Sequence, residues 1–146
     1  MSRTKSNKEA IYRFMHEIWS QGNLETVDEL FETEIKFILS FAQTHGKEQF
    51  KKLLNINRKV FEKLTYHVHD RENDIVADKK KGAAFWTMTG IHVGPWRNIP
   101  GTNKEVSIQG ISFFKFNKEG KITEVRVQND VIALMTQLNG VKMLFE

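Results

Sequence analysis

The chain has 146 residues, 40% hydrophobic and 27% charged, with a formal net charge of +4 and no cysteine. That length suits a single domain over residues 1–146 with a sizeable core, and the missing thiols exclude disulfides, thiolate catalysis and cysteine-held zinc. No apolar run approaches the roughly 20 residues of a membrane span, the polar start Met1 to Asn7 is no secretory signal, and scattered lysines with no motif beside them argue against nucleic acid, so the expected location is cytoplasmic.

Met1 to Lys5 reads as a disordered tail. Ser6-Asn7-Lys8-Glu9 fits a capping box. Ile11, Phe14, Met15, Ile18 and Trp19 then fall at i, i+3, i+4, i+7 and i+8, the stripe of an amphipathic helix. Gln21-Gly22 ends it, and Asn23 can cap a second, shorter helix with Leu24, Val27, Leu30 and Phe31 inward. The bulky stripe Phe14, Met15, Trp19 either packs a core or walls a ligand pocket, because such pockets are lined mainly by apolar and aromatic groups. Ile35 to Phe41 is a short apolar run that reads as a brief strand. A long helix is expected from Gly46 to about Leu64, with Phe50, Leu53, Leu54, Phe61 and Leu64 as its stripe. Asn57 falls in the middle of that stripe. A carboxamide there either bonds to backbone or water, or faces a cavity as a polar group.

Thr65 to about Ala77 alternates as a strand, and Asp78 to Gly82 turns into the next; Lys79-Lys80-Lys81 read as solvated turn residues. The central strand carries Trp86-Thr87-Met88-Thr89-Gly90-Ile91-His92-Val93-Gly94. Met88, Gly90 and His92 share one face; Thr87, Thr89, Ile91 and Val93 share the other. Gly90 lets a neighbouring group or a ligand come close, and His92 can exchange a proton near neutral pH. His67 and His69 share a face of the preceding strand, but no carboxylate stands at a convincing ligand spacing, so no metal site is assigned. In the loop Pro95 to Asn103, Trp96 either closes over a cup, seals a dimer, or is structural. Val106 to Phe116 is another strand, Asn117 to Gly120 a hairpin turn, and Ile122 to Asp130 the last strand. Val131, Leu134, Met135 and Leu138 form the stripe of a final helix that stops at Asn139-Gly140. The apolar tail Val141 to Phe145 is expected to dock on a surface.

Helices followed by a run of antiparallel strands argue an α+β fold with helices on one face of a curved sheet. With no cysteine, no serine in a glycine-flanked elbow and no phosphate-cradling glycine loop, acid–base work by carboxylate and imidazole remains. Asp130 is the candidate base. It precedes an apolar helical stripe, so it is either the N-cap of the last helix or a carboxylate in an apolar cup, where desolvation would raise its pKa. Val125 and Val127 occupy the core face of the last strand and Asp130 has the opposite parity, so a bulge or the helix onset near Asn129 must turn it inward.

The run Trp86-Thr87-x-Thr89-Gly90-x-His92-x-Gly94, then Ile99-Pro100-Gly101-Thr102-Asn103-Lys104, Gly120-Lys121-Ile122-Thr123-Glu124, Asp130 and Gln137-Leu138 resembles the SnoaL-like polyketide cyclase (ester cyclase) family of the nuclear transport factor two-like superfamily. The likeness spans about Trp19 to Gly140. It implies a cone: a curved antiparallel sheet wrapped around the N-terminal helices, with a deep pocket between, and pairing into a homodimer through the outer face of the sheet. It also implies a cofactor-free lyase or isomerase. Asp130 would deprotonate a polyketide-derived ester, and the enolate would close a ring by intramolecular aldol attack. His92, with Asn57 or Gln109, would stabilise the oxyanion. Trp19, Phe41, Met88 and Trp96 join Asn57 and Gln109 as the substrate-facing positions. Two departures stand out. Ser40-Phe41 replaces a histidine that relatives carry before the next helix, and Arg126 replaces a tryptophan. They favour the alternative of a non-catalytic module that binds a small hydrophobic ligand or mediates dimerisation. A ketosteroid-isomerase-like proton transfer is a further possibility.

Overall fold

A computed structural model describes residues 2–142 and 144. Part of the apolar tail expected at Val141 to Phe145 lies outside those residues; within it, Leu144 is exposed. The elements run α1 (Arg3–Arg13), a π-helical segment (Phe14–Ser20), α2 (Leu24–Leu30), β1 (Phe31–Ile38), β2 (Gln43–His45), α3 (Lys47–Val60), β3 (Phe61–His67), β4 (Ile75–Ala77), β5 (Lys81–His92), β6 (Glu105–Phe116), β7 (Ile122–Asn129) and α4 (Val131–Gln137).

The first helix begins earlier than its sequence suggests. Ser2 is the N-cap, accepting from the Lys5 amide, so Arg3 to Lys5 of the expected disordered tail form the first turn of α1. Asn7 is buried and donates to the carbonyls of Asp78 and Lys79 at 3.0 and 3.2 Å, which pins the β4–β5 turn to α1. At the other end, Arg58 donates to the carbonyls of Trp19 and Ser20 at 2.7 and 2.9 Å, closing the orphan acceptors of the π segment. Asn23 caps α2 as read, accepting from Glu25 and Thr26 amides.

The sheet order is β2-β1-β7-β6-β5-β3, with β4 also pairing β5. All pairs are antiparallel except β1 with β7, where Phe37 lies beside Val125 in a parallel register. The sheet is therefore mixed. The α+β reading holds, and the helices pack on one face of the sheet as expected. Alternation is strict on β5, where Trp86, Met88, Gly90 and His92 are buried.

The expected long helix stops at Val60. Phe61 is extended (φ −117°, ψ 112°) and opens β3. A bulge between Glu62 and Thr65, with Lys63 at φ 54°, lets Phe61 and Leu64 both face inward although they are three residues apart. The spacing therefore matched a helix stripe, which is why the sequence reads as one.

The core is aromatic. Phe14 meets Phe114 edge-on at 5.1 Å, Phe50 contacts Phe31 and Phe37 at 4.9 and 5.0 Å, and Trp19 lies 5.9 Å from both Phe37 and Phe50. Edge-to-face pairs of this kind contribute about 0.5–1.5 kcal/mol each beyond the area they bury.

Candidate functional site

Between the π segment, α3, α4 and the inner face of the sheet lies a cleft of about 820 Å³, its open mouth included. Met15 and Trp19 from the π segment, Leu53 and Asn57 from α3, and Met88 from β5 form apolar walls with one carboxamide among them. Phe41, Trp96 and Arg97 stand at the rim. Phe41 is 55% exposed, and the Arg97 guanidinium lies 4.7 Å above its ring.

Polar atoms cluster on the inner sheet face. Tyr66 packs against Trp86 at 4.8 Å and Trp19 at 5.3 Å, and burial pushes its phenol up, so it stays protonated as a hydrogen-bond donor. Trp86 Nε1 donates to Ser112 Oγ at 3.0 Å, leaving the Ser112 proton free to be given elsewhere. The benzo ring of Trp86 covers Gly110, where a Cβ would come within 2.5 Å of it. Asn129, beside Gly110 in the register, has the parity of Val125 and Val127 and enters the same cleft. Its Oδ1 is buried without a hydrogen-bond partner among the described residues.

Of the positions proposed from sequence, Trp19, Phe41, Asn57, Met88 and Trp96 come together on this cleft. Three do not. Gln109 is exposed, on the outer face opposite Thr87; its neighbours Ile108 and Gly110 take the inward parity. Asp130 is exposed and caps α4, its Oδ1 accepting from the Ala133 amide at 3.0 Å. The ladder from β6 to β7 runs without irregularity from Phe114–Val125 to Gly110–Asn129. The bulge needed to turn Asp130 inward is absent, and the N-cap reading is the one realised.

His92 is on the inner face but is not part of the cleft lining. It is 0% exposed, pairs with Phe61 across the strands, and has its ring 5.6 Å from that residue. Its Nδ1 accepts from the Thr102 amide at 3.3 Å and lies 3.0 Å from Thr102 Oγ1, while Nε2 has no partner among the described residues. Burial pushes its pKa below the usual imidazole value, with a partial opposing effect from the Gly94 backbone. The close approach foreseen at Gly90 is made by the Phe61 Cβ and the Glu62 carbonyl of β3. His67 and His69 stack at 5.9 Å and bond to Thr89 and Thr87; no set of three potential metal ligands converges among the described residues.

The lining therefore holds no carboxylate and no imidazole among the described residues. Sequence reasoning passed over Tyr66, Ser112, Asn129 and Arg97. Strand parity alone could have found Asn129, since it follows Val125 and Val127 at steps of two.

The family model described as SnoaL-like polyketide cyclase matches residues 9–138. No curated protein matches the sequence. Among solved structures, a protein from Jannaschia sp. CCS1 described as a SnoaL-like polyketide cyclase superimposes with a TM-score of 0.85 at 20% identity, covering 97% of each chain. TsrD from Streptomyces laurentii gives 0.81 at 20% identity, over 94% of this chain and 97% of its own. AclR from Streptomyces galilaeus, described as a hydroxylase, gives 0.78 at 19% identity, over 95% and 99%. At such identities the likeness establishes a shared fold, and that fold carries more than one described activity. No helix among the described residues is long and apolar enough to cross a membrane.

Proposed function

This chain belongs to the SnoaL-like polyketide cyclase family, and from that premise we propose that its cleft binds a small, largely apolar molecule without base catalysis by Asp130. The observation that carries this reading is the composition of the lining: aromatic and aliphatic walls, a few hydrogen-bonding groups, and no carboxylate or imidazole among the described residues. A cyclase of the kind the resemblance implies needs a base within hydrogen-bond reach of the carbon acid. Asp130 is outside the cleft and His92 is separated from it by a neighbour that lines it. Tyr66, Asn57 and Ser112 can orient a carbonyl.

Methyl 2-naphthoate, a neutral flat ester, is a suitable probe because Trp19, Trp86 and Trp96 all line the cleft and report its arrival. Saturable quenching of tryptophan emission is expected. Ala42→Trp, which fills the rim from a half-buried position, should weaken it at least tenfold with an unchanged melting temperature. Absence of saturable quenching, or quenching indifferent to Ala42→Trp, overturns the reading.

On the outer face, Phe85 and Ile111 are cross-strand partners that are 40% and 50% exposed. A second copy laid on that face would bury both, which is the support for a homodimer; sedimentation of wild type against Ile111→Lys tests it.

A further inference from the structure

We propose that the ligand of this cleft is a hydroxylated carboxylic acid, its carboxylate on Arg97 at the rim and its hydroxyl on Asn129 at the floor. The inference rests on the ligand-binding reading above and adds the chemistry of the two ends.

Arg97 is the sole charged residue of the lining among the described residues. It occupies an unusual backbone. Trp96 and Ile99 exchange hydrogen bonds at 2.9 and 2.8 Å, closing a two-residue turn whose centre is Arg97 at φ 49° and Asn98 at φ 67°. Two successive left-handed residues make the tight turn that Asn-Gly usually occupies. Arginine gains nothing from that conformation, and residues held in sparsely populated backbone regions cluster where ligands are gripped. The turn brings the guanidinium to 4.7 Å from the Phe41 ring centre and 5.9 Å from that of Trp96. No carboxylate pairs with it among the described residues, although Arg13 pairs with two and Arg71 and Arg126 with one each. A planar cation stacked on aromatic rings keeps its outer N–H groups for a carboxylate, which it can hold with two parallel hydrogen bonds.

At the other end, the buried Asn129 Oδ1 lacks a donor among the described residues. A buried acceptor left without a donor is costly, and a ligand hydroxyl meets that need. Ser112, fixed by Trp86, can give its proton to the same hydroxyl oxygen. Between the two ends the walls are mainly aromatic and aliphatic, interrupted by Asn57 and Tyr66, so the complementary molecule has a compact ring body with an acid at one end and a hydroxyl at the other.

The test uses 6-hydroxy-2-naphthoic acid, its methyl ester, 2-naphthoic acid and methyl 2-naphthoate, titrated into the 146-residue chain by calorimetry. The hydroxy acid should bind best. Esterification should weaken it about tenfold, and removal of the hydroxyl about three- to tenfold. Arg97→Gln should erase the difference between acid and ester. Asn129→Leu should erase the difference between hydroxylated and plain naphthoate. If acid and ester bind equally to wild type, or if Arg97→Gln leaves their difference intact, the proposal falls and the ligand-binding reading stands. If none of the four binds, both fall.

Discussion

Asn129 and Asp130 are consecutive and leave β7 on opposite sides: Asn129 enters the cleft with Oδ1 unpaired among the described residues, while Asp130 stays exposed and caps α4 through the Ala133 amide. One step of strand parity thus separates the residue that can meet a ligand from the residue that caps the next helix. Because asparagine caps helices about as well as aspartate, Asp130→Asn should leave both stability and probe binding unchanged, whereas Asp130→Ala should cost about 1 kcal/mol of stability with binding intact. Urea unfolding and tryptophan quenching measure the two quantities separately. A loss of binding in Asp130→Asn would contradict the outward placement.

Gly110 is required by its neighbour. An added Cβ would lie 2.5 Å from the Trp86 ring and 2.9 Å from the Gln128 carbonyl. Gly110→Ala should therefore cost about 1–3 kcal/mol, the usual range for overpacking. Combining it with Trp86→Phe should recover only part of that loss, because the Gln128 carbonyl belongs to the backbone and cannot move aside. A full double-mutant cycle in urea gives the coupling; strict additivity would show that Trp86 is not the obstacle.

His92 makes the fold sensitive to acid. Burial lowers its pKa below the ordinary imidazole value, so the unfolded chain takes up the proton at a higher pH than the folded one. Its stability contribution is fully present above that value and is lost as pH falls through it toward the depressed folded pKa. Thermal unfolding between pH 7.5 and 5.5 should show a falling melting temperature in wild type and a shallower fall in His92→Gln, whatever the variant's stability at pH 7.5. Equal slopes would assign the acid sensitivity to other groups.

Much of the fold was legible because local rules and global packing agree. The stripe Ile11, Phe14, Met15, Ile18, Trp19 is buried, Asn23 caps α2, and the alternation of β5 puts Trp86, Met88 and His92 on one face. The reading failed where two patterns share a spacing. Phe61 and Leu64 are three apart through a bulge, which mimics a helical turn. At the start, Ser2 and Ser6 can both cap, and the hydrogen bonds of buried Asn7 to Asp78 and Lys79 favour the earlier start.

For the site, the sequence by itself determined which side chains face inward along each strand and helix, since parity and helical stepping are properties of the local backbone. It thereby turned Trp19, Asn57 and Met88 toward the interior and held the information for Asn129. Only the tertiary structure decided which inward positions border empty space. Met88 and His92 share a face of β5, yet Phe61 packs on His92 while Met88 borders the cleft. That outcome depends on what each neighbouring element fills, a non-local packing result that no single stretch of chain encodes. The turn that carries Arg97 is closed locally by Trp96 and Ile99, but its meeting with Phe41 joins residues far apart in the chain, so the one charge on the cleft among the described residues became visible only after folding.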